Sequence, residues 1–94
     1  MSERDRDQIR TEECSCSWFM RQKSFARGVE DVRTGQPARF DAYAANINDL
    51  WAYEKGRQFA FLVPLSLPLK LNGKLNPKAL RLFKAAVDRG DIAP

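Results

Sequence analysis

A chain of 94 residues can form one small domain with a modest core, but it is too short for two. Its hydrophobic content of 44% excludes a fully disordered protein. The net charge of +4 arises entirely in residues 68–94, because basic and acidic groups balance over residues 1–67. Such a local excess of positive charge is typical of a surface that binds an anionic partner. It is equally typical of a solvated face that keeps a small protein soluble.

The first residues differ in character from the rest of the chain. Residues 1–13 alternate in charge sign, which predicts a disordered charged arm followed by a single helical domain over residues 14–94. They contain no apolar signal core, and the longest apolar stretch, Phe59 to Leu69, is interrupted by Pro64 and Pro68. We therefore expect a cytoplasmic protein that does not enter a membrane.

Two cysteines, Cys14 and Cys16, lie one residue apart. A disulfide between them would close a very short, strained ring. A zinc site would need two more ligands, and the chain has no histidine and no further cysteine. We expect reduced thiols, no metal and no cofactor.

The first predicted helix covers Ser17 to Thr34. Ser17 can cap its start, and Gly35 followed by Pro37 is typical of a helix end. Apolar residues recur along one side with a helical period: Trp18, Phe19, Phe25, Ala26, Val29 and Val32. The next stretch, residues 36–48, is predicted to be a loop with one helical turn, or alternatively the start of a longer helix.

A second helix is expected from a cap at Asn48 or Asp49 to about Val63, where Pro64 stops it. Its predicted buried face comprises Ala52, Tyr53, Gly56, Phe59, Ala60 and Val63. The predicted solvent side comprises Glu54, Lys55 and Gln58.

Gly28 and Gly56 lie inside these two predicted helices, where glycine costs about 1 kcal/mol relative to alanine. Ala52, Gly56 and Ala60 are four residues apart, so they form a groove of small side chains. We predict that the helix containing Gly28 packs closely into this groove. The alternative is that both glycines mark helix ends.

The remainder predicts an extended segment and a third helix. Leu65, Leu67, Leu69 and Leu71 alternate with other residues, as in a strand with one buried side, and Asn72-Gly73 is a tight-turn signal before a short return strand at Lys74-Leu75. Asn76-Pro77 can start a helix and Gly90 can end it. Its apolar face would hold Ala79, Leu80, Leu82, Phe83, Ala86 and Val87, and its opposite face Lys78, Arg81, Lys84 and Asp88. The expected fold is therefore mainly α, a three-helix domain with a short leucine-rich hairpin before the last helix.

No catalytic constellation is present in the sequence, so we expect a protein that is not an enzyme. For a small basic chain without catalytic residues, two hypotheses about function concern binding to protein or to DNA. One is a small phage- or mobile-element-encoded inhibitor that binds a host protein complex, as anti-CRISPR proteins do, through anchors such as Trp18, Trp51 or Tyr53. The other is a DNA-binding regulator, which would need a helix-turn-helix glycine turn that the chain lacks.

Residues 25–60 contain two short glycine motifs: Arg27-Gly28 with Gly35 seven residues on, and then an aromatic-x-x-Gly segment at Tyr53 and Gly56 that ends at Ala60. In these motifs the sequence resembles the ribosome modulation factor family. Arg57 stands where the family tends to have tryptophan. The resemblance implies a helix–loop–helix body and a ribosomal RNA partner near the messenger-binding side of the small subunit.

Seven basic residues flank aromatic ones, as RNA binding requires: Arg21, Lys23, Arg27, Arg33, Arg39, Lys55 and Arg57. The candidate nucleic-acid-binding residues are Arg27, Arg57, Lys74, Lys78, Arg81 and Lys84. The sequence thus favours an RNA- or ribosome-binding modulator, with the protein-binding inhibitor as the alternative.

Overall fold

The computed structural model describes residues 16–92. The order of elements is helix α1 (residues 16–21 of the described part), α2 (Lys23–Arg33), a 3-10 helix (Phe40–Tyr43), α3 (Ile47–Leu62), β1 (Lys70–Leu71), β2 (Lys74–Leu75) and α4 (Pro77–Arg89). The protein is mainly helical with a two-stranded hairpin before the last helix, as the sequence predicts. The predicted disordered arm and Cys14 lie outside the described residues. Cys16 is half-buried against the core.

The first predicted helix is interrupted, which corrects the expectation of one helix over Ser17–Thr34. Gln22 has extended dihedral angles, φ −73° and ψ 142°, so α1 ends before it and α2 begins after it. In one straight helix Met20 and Val29 would point about 180° apart, since each residue turns the chain by about 100°. Both are buried in the same core, at 1% and 2% exposure. The break at Gln22 reconciles these two positions.

Helix α2 ends as predicted. Gly35 has φ +72°, and its N–H donates to Val32 O while Gln36 N–H donates to Asp31 O at 2.7 Å. This pair of bonds is the Schellman arrangement, which satisfies carbonyl groups at the helix end. The same arrangement closes α4 at Gly90.

Helices α2 and α3 cross at the two glycines, which confirms the predicted close packing. A Cβ atom on Gly28 would overlap the carbonyl oxygen of Tyr53, and a Cβ on Gly56 would overlap the carbonyl oxygen of Phe25. Both glycines lie inside their helices, so the alternative that they mark helix ends is wrong. The crossing brings backbone against backbone, and any side chain at either position would separate the helices.

The start of α3 differs from the prediction by two or three residues. Its cap is Asn46, whose side-chain oxygen accepts hydrogen bonds from the N–H groups of Asn48 (2.9 Å) and Asp49 (3.3 Å). The predicted loop with one helical turn is confirmed as the 3-10 helix just before it.

The helical period predicts Lys55 in solvent, and this prediction is wrong, because the residue is only 8% exposed. Its ammonium group lies 5.2 Å from the ring centre of Phe19, which approaches from α1. A cation over a ring face is attracted by the ring's quadrupole. Burial lowers the pKa of Lys55, while the charge of Glu54 acts in the opposite direction. Helix α1 therefore covers part of the side of α3 that the helical period assigns to solvent.

Three phenylalanines from three helices form the centre of the core. Phe25, Phe59 and Phe83 have ring centres 5.3 to 5.9 Å apart, and Phe83 meets both other rings edge-on. Aromatic rings favour this geometry. All three side chains are at most 1% exposed. Phe83 therefore joins helix α4 to both α2 and α3.

The leucine-rich segment is only partly as predicted. The hairpin is present, with Lys70 opposite Leu75 and Leu71 opposite Lys74, and both turn residues Asn72 and Gly73 have positive φ. The predicted strand upstream of it is not formed. Leu67 N–H donates to Pro64 O in a tight turn, which breaks the alternation. Hence Leu67 is buried, while Leu65 and Leu71 are 71% and 49% exposed.

Side-chain hydrogen bonds attach this segment to the helices. Arg33 on α2 donates to the carbonyl oxygens of Leu67 (2.6 Å) and Pro64 (3.3 Å). Asn76 donates to Pro68 O and accepts from Lys78 N–H, so one side chain both holds the segment and caps α4. Arg33 is thereby given a structural role.

We predict that Gly56→Ala destabilises the protein although alanine is the better helix former. The added methyl group overlaps the Phe25 carbonyl, so overpacking of about 1–3 kcal/mol should outweigh the gain in propensity. For a chain of this size, the melting temperature should fall by several degrees. Asn48→Ala, an exposed change on the same helix, is the control and should melt like the wild type. An unchanged or higher melting temperature for Gly56→Ala would contradict the close crossing.

Candidate functional site

A depression of about 520 Å³ opens on the surface where α1 meets α2. Three cationic side chains line it, Arg21, Lys23 and Arg27, and all three are exposed. The remaining lining residues are Gln22, Ser24, Tyr43 and Asp49. We call this site the basic depression.

The break at Gln22 creates the site. Because the chain turns there, Arg21 at the end of α1 and Lys23 at the start of α2 lie beside Arg27, one turn further along α2. Gln22 makes no side-chain cap, and the first turn of α2 contains no acidic residue. The partial positive charge of a helix start therefore adds to the side-chain charges.

One carboxylate borders the depression. Asp49, in the first turn of α3, accepts a hydrogen bond of 3.2 Å from the hydroxyl of Ser24. This contact joins the starts of α2 and α3. No ion pair within residues 16–92 links Asp49 to any of the three cations of the basic depression, so the site retains a positive balance.

The side of the depression formed by Tyr43 is held by a buried polar network. Tyr43 stacks on Tyr53, with ring centres 4.7 Å apart. The Tyr53 hydroxyl donates to Asp31 at 2.6 Å and accepts from the backbone N–H of Arg39 at 2.9 Å. Arg39 also donates to both carboxylate oxygens of Asp31, at 2.5 and 3.1 Å. The network fixes the 36–46 loop, and so Tyr43, against the crossing of α2 and α3.

Asp31 is the centre of that network and is 1% exposed. Hydrogen bonds from Arg39 lower the pKa of this carboxyl below its ordinary value of 3.8. Burial raises the pKa, and the hydrogen bond from the Tyr53 hydroxyl lowers it. A buried charge is tolerated only when it is paired and hydrogen-bonded. Tyr53 itself is fully buried, which confirms its place on the predicted buried face of α3 and removes it from the candidate anchors for a protein partner.

The structure separates the predicted nucleic-acid-binding residues. Arg27 lies in the basic depression. Lys74, Lys78 and Arg81 are exposed on the hairpin and α4, outside the lining of the depression. Lys84 is half-buried, which corrects its placement on a solvent-facing side.

Arg57 is also half-buried. Its backbone lies against Gly28 at the helix crossing, and its Nη1 is enclosed without a hydrogen-bond partner in residues 16–92. It is therefore a weaker candidate than the sequence indicated.

The sequence places Arg21 and Lys23 among the basic residues that flank aromatic ones, but it does not unite them with Arg27 and Tyr43 in one site. The first two share a short basic run with Arg27, which was a usable signal. Tyr43 is sixteen positions from Arg27 in the sequence, and only the buried network brings it close.

No group of three or more potential metal ligands occurs within the described residues. Among the helices of residues 16–92, none combines the length and apolarity needed to cross a bilayer.

We predict that Asp31→Asn removes a stabilising contribution that depends on pH. Because the folded pKa lies below 3.8, the ionised carboxyl stabilises the fold above about pH 4, and this contribution is lost as the pH falls. Asp31→Asn should therefore melt several degrees below the wild type at neutral pH, and the difference should narrow towards about pH 3. Asp91→Asn, which breaks the exposed pair with Arg89, should cause little change. A constant difference between the wild type and Asp31→Asn at all pH values would contradict the assigned role.

Comparison with protein families, with characterised proteins and with solved structures finds no match to this chain. The resemblance to ribosome modulation factors therefore rests on its short motifs. The geometry of the basic depression is the main guide to function.

Proposed function

We propose that this protein binds RNA without catalysing a reaction, and that the phosphate backbone of the RNA lies in the basic depression. The observation that carries the proposal is the concave surface lined by Arg21, Lys23 and Arg27. Three exposed cations around one depression can each neutralise a phosphate and release its counterions, which is the main source of affinity for nucleic acid.

The overall charge supports this proposal. Residues 16–92 contain thirteen Lys and Arg against seven Asp and Glu, so this part of the chain is more basic than the whole. Within it, Arg39 and Arg89 form ion pairs with Asp31 and Asp91. Neither the cations of the basic depression nor Lys74, Lys78 and Arg81 form one with a described carboxylate. These side chains are available to an anionic partner.

The aromatic residue at the site favours single-stranded RNA. Single-stranded RNA is usually bound through cations along its backbone and aromatic rings that stack on its bases. Tyr43 supplies such a ring beside Arg21, Lys23 and Arg27, and its stacking on Tyr53 holds it in place before any ligand arrives. A ring fixed in advance loses little conformational entropy on binding.

The resemblance between residues 25 and 60 and ribosome modulation factors makes ribosomal RNA the favoured target. Arg27 belongs both to those motifs and to the basic depression. A ribosomal target would place the protein in the cytoplasm, which is part of this proposal. The exposed cations of the hairpin and α4 would add long-range attraction without forming the primary site.

The test compares two triple charge reversals of equal size. The first, Arg21→Glu, Lys23→Glu and Arg27→Glu, changes the basic depression. We expect it to weaken binding of a labelled single-stranded RNA oligonucleotide by about 100-fold or more at low salt. A plot of the logarithm of the association constant against the logarithm of the salt concentration has a negative slope. Its magnitude should decrease by about 2, as loss of three phosphate contacts implies.

The matched control is Lys74→Glu, Lys78→Glu and Arg81→Glu, three exposed residues whose reversal changes the net charge equally. It should weaken binding by about tenfold or less, because it acts only through the long-range field. Equal effects of both variants would contradict a site in the depression. Absence of RNA affinity in the wild-type protein at low salt would contradict RNA binding altogether and favour the protein-binding inhibitor.

A further inference from the structure

The side of α3 that points away from the core is largely apolar. At about 100° per residue, Ile47, Trp51, Phe61 and Leu62 fall on one side of the helix. They are 58%, 46%, 72% and 46% exposed. We call these four residues, with Glu54 and Gln58 between them, the outer face of α3.

This surface is unusual for a protein that acts alone. The opposite side of α3 is also apolar, since Ala52, Phe59 and Ala60 lie in the core. A helix that is apolar on both sides is normally covered on both sides. Large exposed apolar side chains grouped on one face are typical of a binding surface.

Two possible occupants fit the outer face of α3 poorly. Residues 1–15 contain eight charged side chains and, after Met1, only Ile9 among large apolar residues. RNA is unsuited because the face contains no cation and one carboxylate, Glu54. A protein surface with apolar side chains spaced along a helix fits the face better than either.

We propose that the outer face of α3 binds the same face of a second copy of this chain in antiparallel orientation. The face has apolar residues at both ends, Ile47 and Trp51 near the start of α3 and Phe61 and Leu62 at its finish, with polar residues in the middle. A two-fold axis through that middle places the Ile47–Trp51 end of one copy against the Phe61–Leu62 end of the other. The same operation places Glu54 near the Gln58 amide of the second copy, which can donate to it.

The distribution of charge agrees with this pairing. Two copies of a chain with net charge +4 repel each other. Repulsion is weakest between surfaces without cations, and none of Ile47, Trp51, Glu54, Gln58, Phe61 and Leu62 is cationic. Helix α4 and the hairpin, with Lys74, Lys78 and Arg81 exposed, are unsuited to pairing with themselves.

The size of the face sets the expected strength. A helix of 16 residues is about 24 Å long, so two such faces bury an area at the low end of specific interfaces. We therefore expect a dimer that dissociates on dilution. The affinity should come mainly from Trp51 and Phe61, since aromatic residues contribute most at small interfaces.

The experiment measures the mass of the full chain by sedimentation equilibrium from roughly micromolar to millimolar concentration. The wild type should change from a 10.8 kDa monomer to a dimer over this range. Trp51→Glu and Leu62→Lys should each stay monomeric, with melting temperatures close to that of the wild type because both positions are exposed. Leu71→Glu is the control: it changes an equally exposed leucine on the hairpin and should still dimerise.

Mixing variants tests the orientation. In the antiparallel pair Trp51 of one copy lies near Leu62 of the other, so an equimolar mixture of Trp51→Glu and Leu62→Lys should form a heterodimer although neither dimerises alone. A mixture that remains monomeric would overturn the antiparallel pairing. A wild type that stays monomeric at every concentration would overturn self-association and leave a different protein as the occupant of this face.

Discussion

The contact between the backbones of α2 and α3 is the constraint on which the rest of the molecule depends. Gly28 and Gly56 each lie against a carbonyl group of the opposite helix, so the two helix axes come as close as backbones allow. This approach brings the rings of Phe25 and Phe59 into contact, and Phe83 of α4 packs against both of them. A methyl group at the crossing would therefore disturb more than its own surroundings, because the core is close-packed.

The same crossing makes a buried charge useful. Asp31 lies next to it, excluded from water, and its negative charge is compensated by Arg39 and the Tyr53 hydroxyl. These bonds hold a loop whose 3-10 helix, Phe40–Tyr43, contains no buried residue. Removing a single partner would leave buried polar groups unsatisfied, which costs more than the bond itself contributes. Burial of the charge costs desolvation free energy, and in return the network fixes the position of the loop. Tyr43 is held in that position because its ring stacks on Tyr53.

Two surfaces of opposite chemistry result from this arrangement. The basic depression collects positive charge where α1 turns into α2, while the outer face of α3 is apolar and lacks cations. Their separation has a physical consequence: charge that attracts RNA also opposes self-association, so a dimer surface must lie where cations are absent. The two proposals can fail independently, since one depends on Arg21, Lys23 and Arg27 and the other on apolar side chains of α3.

Most of the secondary structure could be predicted from the sequence, because local rules decide it. Glycines at Gly35 and Gly90, the Asn76-Pro77 start and the Asn72-Gly73 turn each have one favoured backbone conformation, and all are observed. The spacing of Ala52, Gly56 and Ala60 was also sufficient to predict a close helix contact.

Features that depend on residues distant in sequence are defined by the packing of the folded chain. The break at Gln22 is set by the need to bury Met20 and Val29 in one core, and Lys55 is buried because Phe19 of another helix covers it. The basic depression could not be predicted as a unit because Tyr43 reaches it through Asp31 and Tyr53, which are far from it in sequence. Periodicity describes one helix at a time, whereas a site forms where several elements meet.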